Sequence, residues 1–177
     1  MVELKARVDR LDPVREKLID LMAQRIGAFR QTDIYFDVPK GRLKLRKTEN
    51  RDEAELVYYE RENVASIKES RVFMLKIQNP TEFEILIKNV LSTKVVVEKL
   101  REIYWYQGTQ VHLDIVERLG TFVEFERKIS PLPNALRASR HVLEKLMQEL
   151  GIDPENLEKL SYSDLIEHSK TVAEHSF

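Results

Sequence analysis

The chain has 177 residues, 42% hydrophobic and 33% charged, with a formal net charge of -1. That length suits one domain with a sizeable core, and so small a charge provides no global field to recruit nucleic acid or an acidic membrane. Cysteine is absent, which excludes disulfides and thiolate metal sites. No apolar run approaches the ~20 residues of a membrane-spanning helix, and MVELKARVDR is not a signal peptide. These features predict a cytoplasmic protein with neither nucleic acid nor membrane as partner; a monomer or homodimer is expected, though composition does not decide between them.

The chain opens on a strand, Val2 to Val8, with Val2, Leu4, Ala6 and Val8 on one face and Glu3, Lys5 and Arg7 on the other. Asp12 reads as an N-cap with Pro13 at the first helical position. The stripe Val14, Leu18, Leu21 and Met22 then predicts a helix that stops at Gly27. Four strand-like runs follow: FRQTDIYFDV, RLKLRK, AELVYYERE and SRVFMLKI. Asn79, Pro80 and Glu82 open a second helix with the stripe Phe83, Leu86, Ile87, Val90 and Leu91. Three more strands, TKVVVEKLREIYWY, TQVHLDIVERL and TFVEFERKI, come next, the last two joined by a tight turn at Leu119-Gly120. Pro131 and Pro133 precede a third helix that ends at Gly151, and SYSDLIEHS forms a short tail helix. The expected arrangement is a single domain over 1–177, with a C-terminal helical segment from about 134 onward.

The short connections make the eight strands mostly antiparallel, so the fold class is α+β. A sheet of that size tends to curl or close. Its polar faces are sorted by sign. RLKLRK offers Arg42, Lys44 and Arg46, the long strand offers Lys99 and Arg101, and the last two strands offer His112, Asp114, Glu124 and Glu126. For one strand, a solvated polar face explains such residues. For the set, a closed barrel explains them better: amphipathic helices cover an apolar outside and the charges line the inside. Like charges enclosed together need neutralising. Glu3, Asp114, Glu124 and Glu126 then suit Mg²⁺ or Mn²⁺, and Lys44, Arg46, Lys99 and Arg101 suit phosphate oxygens. The histidines, His112, His141, His168 and His175, are scattered and are not read as ligands.

Five blocks in order resemble the CYTH family, which groups class IV adenylate cyclases with thiamine triphosphatases. VELK (Val2 to Lys5) is similar to the end of the family's N-terminal Glu-x-Glu-x-Lys signature. QTDIYFDVPKGRLKLRK (Gln31 to Lys47) resembles its second block, and EKLREIY (Glu98 to Tyr104) its Lys-x-Arg strand. HLDIVERLGTFVEFE (His112 to Glu126) resembles its Asp block and second Glu-x-Glu. KLSYSDLI resembles the closing motif of the cyclase-type branch. Met1 stands where the signature has its first acid, and YYERE lacks a lysine found in many relatives, with Arg61 as its substitute.

The resemblance implies an eight-stranded antiparallel closed β-barrel, a triphosphate tunnel, with helices packed outside. It implies a divalent-metal enzyme acting on ATP or another triphosphate-containing small molecule. By resemblance, metal falls to Glu3, Glu124 and Glu126, with Asp114 as a further acid, and phosphate to Lys5, Lys44, Arg46, Arg61, Arg71, Lys99 and Arg101. Lys5, Tyr35 and Arg101 are the candidates for catalysis, Lys5 as a general base if its pKa is depressed. Two chemistries fit: cyclisation of ATP to cyclic AMP and pyrophosphate, or hydrolysis of tripolyphosphate or a nucleoside triphosphate. A non-catalytic polyphosphate- or nucleotide-binding module and a purely structural protein are the competing readings.

Overall fold

The computed structural model describes residues 1–174, so His175 lies outside the described residues. Eight strands, β1 (Val2–Arg7), β2 (Gln24–Phe36), β3 (Arg42–Thr48), β4 (Ala54–Arg61), β5 (Lys68–Ile77), β6 (Thr93–Tyr106), β7 (Thr109–Val116) and β8 (Gly120–Arg127), form a closed barrel in the order β1-β5-β4-β3-β2-β6-β7-β8. Every pairing is antiparallel. Strands consecutive in sequence are joined by short turns where they are also neighbours. Two consecutive pairs are not neighbours, and there the chain inserts a helix, α1 (Asp12–Asp20) between β1 and β2 and α2 (Pro80–Val90) between β5 and β6. α3 (Ala135–Glu149), a single 3-10 turn at Pro154–Asn156 and α4 (Tyr162–Glu174) complete the described chain. No helix among the described residues is long and apolar enough to cross a membrane.

Period-two alternation sends one face of each strand outward, and helices cover it on two flanks, while Phe73 and Leu75 of β5 and Val96 of β6 stay exposed. Val2, Leu4, Val111, Leu113, Val123 and Phe125 are buried with Val14 and Leu18 of α1 and Leu143, Leu146 and Met147 of α3. On the opposite flank Ile34, Phe36, Leu45 and Ala54 pack on Ile87 of α2, with Phe83 and Leu91 beside it. At about 1.5–3 kcal/mol for each fully buried large side chain, these clusters are what keep the sheet rolled.

The structure departs from the sequence reading at three places. The first helix ends at Asp20, not Gly27, because Met22 turns into the left-handed region (φ 55°) and β2 starts at Gln24. Gly27 instead serves a bulge in β2, where a Cβ would come within 2.8 Å of the Phe29 ring. Asp12 lies inside the first turn of α1 and Leu11 holds the cap position; the Asp12 carboxylate accepts from Arg15 (2.5 Å) rather than from the backbone. On α2, Leu86 and Val90 stay exposed, since the helix turns Phe83, Ile87 and Leu91 to the sheet instead.

Candidate functional site

The other face of each strand looks into the bore, and there the buried residues are charged. Glu3, Lys5, Asp33, Lys44, Lys99, Arg101, His112, Asp114 and Glu124 are all buried. Adjacent strands bring them level with one another: Asp33 is opposite Arg46, Tyr35 opposite Lys44, Arg101 opposite Asp114, His112 and Lys5 both opposite Glu124, and Glu3 opposite Glu126.

One wall, made by β2, β3 and β6, gathers three cations on a single acid. Asp33 is fully buried and accepts from Lys44 Nζ (2.8 Å), from Lys99 Nζ (2.9 Å) and from Arg46 Nε and Nη2 (2.7 and 3.0 Å). Burial alone would raise the Asp33 pKa. The attraction of Arg46, Lys44 and Lys99 outweighs it and holds the carboxyl well below the usual range. Burial pushes the Lys99 ammonium well down, with Arg46, Arg101 and Lys44 adding to the shift against Asp33. Tyr35 lies beside them, its hydroxyl 3.4 Å from Lys44 Nζ, and burial raises its pKa so that the phenol keeps its proton.

The facing wall, from β7, β8 and β1, carries the acids. Arg101, on β6 directly opposite Asp114 of the adjoining β7, clamps it through two bonds (2.7 and 2.6 Å) and donates to Glu124 Oε2 (2.7 Å). Lys5 Nζ lies 3.5 Å from Glu124 Oε1. Burial lowers the Lys5 pKa and Arg61 adds to the effect, while Glu124, Glu3 and Asp114 oppose it. Glu124 would be raised by burial, but Lys5 and Arg101 hold it well below the ordinary carboxylate value. Glu3 is taken by Arg61 and by Ser70 Oγ (2.7 Å). Glu126, half-buried, lies 4.0 Å from His112 Nδ1.

α4 stops one end of the bore. Tyr162 and Ile166 pack among Tyr35, Val95, Val97, Val116 and Phe122. The Tyr162 hydroxyl donates to Asp114 (2.7 Å), and Lys5 Nζ lies 3.8 Å over the Tyr162 ring. Arg42 binds Asp164 at 2.6 Å. Beside that contact opens a cleft of about 350 Å³, lined by Lys40, Arg42, Glu60, Arg61, Lys94 and Asp164. Lys68, buried on β5, ties down the segment leading to α4 by donating to the carbonyls of Glu158 (2.6 Å) and Lys159 (3.0 Å).

Of the residues singled out from sequence, Lys5, Tyr35, Lys44, Arg46, Arg61, Lys99, Arg101, Glu3, Asp114, Glu124 and Glu126 converge on this bore. Arg71 does not: it alternates with Ser70, lies on the outer face and is exposed, its guanidinium 5.8 Å from the Phe73 ring. Sequence reasoning missed Asp33, Lys68 and Tyr162. Asp33 had a signal, since it sits two residues before Tyr35 and shares its face.

The likeness to known proteins agrees with this geometry. A Methanocaldococcus jannaschii protein provisionally named an adenylate cyclase is 28% identical over 172 residues, 93% of this chain and 97% of the relative. A solved Pyrococcus horikoshii structure superposes with a TM-score of 0.83 at 26% identity, over 93% of this chain and 98% of that one. A Hippeastrum protein, titled as an adenylyl cyclase candidate with a dominant triphosphatase activity, shares the barrel at a TM-score of 0.68 and 15% identity, over 95% of each chain. The CYTH domain profile matches residues 1–162, and the chain belongs to the CYTH family.

Proposed function

We propose that the bore is the site of a divalent-metal-dependent enzyme acting on ATP, of the class IV adenylate cyclase kind. The observation that carries this reading is the division of the buried walls by sign: Lys44, Arg46 and Lys99 gathered on Asp33, facing Glu124, Glu126 and Glu3. A polyanion with bound metal is complementary to both walls at once, and the related M. jannaschii protein is provisionally named an adenylate cyclase.

The donor set fits a hard or borderline divalent ion. Glu3 and Glu126 are directly opposite across β1 and β8; Arg61 holds Glu3, and a cation at Glu126 would ease what repulsion between like charges remains. Glu124 and Glu126 would hold the ion, with Glu3 opposite and Asp114 steadied by Arg101. When bound, the metal supplies Lewis-acid polarisation of phosphate oxygens. Lys44, Arg46 and Lys99 bind the triphosphate as it displaces Asp33 as their counter-ion, and Arg101 steadies the charge that builds on the transferred phosphoryl group. Tyr35, kept protonated, donates to a phosphate oxygen. Lys5, whose basic form burial favours, takes the proton from the ribose 3′ hydroxyl; the 3′ oxygen bonds to the α-phosphorus, and that phosphorus releases pyrophosphate. The same walls serve hydrolysis if water replaces the ribose oxygen, the activity stated for the Hippeastrum neighbour.

Incubation with ATP and with tripolyphosphate, each with Mg²⁺ or Mn²⁺, tests the proposal. Cyclic AMP with pyrophosphate is expected from ATP. Phosphate release alone assigns the hydrolase, and tight binding without product removes catalysis from the reading.

A further inference from the structure

We infer that His112 is a nitrogen ligand of the bore's metal, so that the site selects Mn²⁺ or Co²⁺ over Mg²⁺. The inference rests on the reading of the bore as a metal-dependent triphosphate site and adds to it a ligand that no carboxylate count would provide.

Three observations converge on the imidazole. His112 is 2% exposed, and its Nδ1 is buried without a hydrogen-bond partner. That nitrogen points at two carboxylates, 3.5 Å from Glu124 Oε2 and 4.0 Å from Glu126 Oε1, both too long for a good hydrogen bond. Its other nitrogen, Nε2, lies 3.1 Å from Gln110 Oε1. Gln110 is two residues back on the same strand and faces the same way. An amide oxygen can only accept, so Nε2 carries a proton and donates to it. In the neutral ring Nδ1 is then a bare lone pair aimed at two anionic oxygens. Buried polar atoms left in that state are costly, and a cation between the three groups removes the cost.

The dimensions agree. The three ligand atoms lie within 4.8 Å of one another. Bonds of about 2.0–2.1 Å to one ion bring neighbouring ligand atoms about 3 Å apart, so a small inward movement closes the set. The orienting bond from Nε2 to Gln110 is the arrangement that ligating histidines use to fix ring and tautomer. An imidazole shifts preference away from Mg²⁺, which favours oxygen, and toward Mn²⁺ and Co²⁺.

The experiment needs no variant to begin. Mn²⁺ is added to the full-length wild-type protein and its electron spin echo is recorded. Modulation from a directly bound ¹⁴N is expected, replaced by the ¹⁵N pattern when the protein is grown on ¹⁵N-histidine. Calorimetric titration then compares Mn²⁺ and Mg²⁺ on wild type and on His112→Gln. Mn²⁺ affinity should fall by at least about tenfold, the loss that even an outer-shell partner brings, with Mg²⁺ affinity changed much less. Bound Mn²⁺ that is lost in Glu126→Gln yet shows no nitrogen coupling overturns the assignment of His112 and leaves the proposed function standing. No binding of either ion overturns both.

Discussion

The two walls of the bore solve the same electrostatic problem in opposite ways. Around Asp33 the solution is complete: three cations share one fully buried acid, every contact at 3.0 Å or less. Around Glu126 it is unfinished. Glu3 and Glu126 confront each other across a strand pair, and the ion-pair contact of Glu126 among the described residues is His112 Nδ1 at 4.0 Å. The difference teaches where each guest belongs. On the proposed reading, the cations on Asp33 exchange that carboxylate for a phosphate chain, and Glu126, the acid without a close ion pair, takes part in holding a cation.

The strongest way to break this contrast is Asp33→Asn. It strands Lys44, Arg46 and Lys99 in a dry interior, and removing one partner of a buried ionic cluster costs about 3–5 kcal/mol. Urea unfolding of the ligand-free variant should show that loss, and tripolyphosphate should restore much of it. A variant as stable as wild type, or one deaf to tripolyphosphate, would refute the substitution of Asp33 by substrate.

Next in size is Tyr162→Phe, which removes the hydroxyl bonded to Asp114 but keeps the ring under Lys5. A hydrogen bond to a charged group is worth about 1.5–3 kcal/mol. Thermal melts should fall accordingly, and amides of α4 should exchange faster. Unchanged exchange in α4 would show that the bond does not hold the end of the bore shut.

A smaller effect is a matter of pH. Burial, with help from Arg61 and Lys5, lowers Lys68 to about 8. The unfolded chain therefore binds more protons than the native one between about pH 8 and the ordinary lysine value, and stability attributable to Lys68 rises with pH across that window. Below it the cost of the buried ammonium is fully present. The melting temperature of wild type relative to Lys68→Met should climb from pH 8 to 10; a flat difference would contradict the shift.

Smallest of all is Glu126→Gln without metal. With no hydrogen bond to lose among the described residues, it should alter stability by no more than about 0.5 kcal/mol, while abolishing the turnover and the Mn²⁺-induced rise in melting temperature expected of wild type. Large destabilisation of the metal-free variant would mean that Glu126 is structural.

Much of this was legible because alternation is a strong signal where the two faces differ. RLKLRK and FVEFE each pair apolar with charged positions, so their phase is unambiguous and Lys44, Arg46, Glu124 and Glu126 fall together. SRVFMLKI is apolar on both faces beyond Ser70, which leaves no phase to read; hence Arg71 was grouped with the bore cations although it faces out. Lys68 lies just before that run, where the strand begins earlier than its composition suggests. Asp33 is a lone acid in a strand of mixed character, and its importance comes from Lys99 on β6, which only the ring order β3-β2-β6 brings near. Tyr162 is 48 positions from Asp114 on a helix whose amphipathic pattern reads as ordinary packing.

The ring closes where β1 meets β5, over Val2↔Glu69 and Glu3↔Lys68, whereas β1 follows β8 from Val2↔Arg127 to Arg7↔Phe122. Backbone ladders keep neighbouring strands at a fixed spacing of about 4.8 Å; at this short joint the Met1–Ser70 backbone bonds are joined by one side-chain bond, Ser70 Oγ to Glu3, while Arg61 ties Glu3 to β4. Ionic stitches stretch and re-form where amide rungs do not. Of all the staves in this cask, the first has the shortest ladder on one side, and the carboxylate that helps hold it there, Glu3, is one the proposed site also claims.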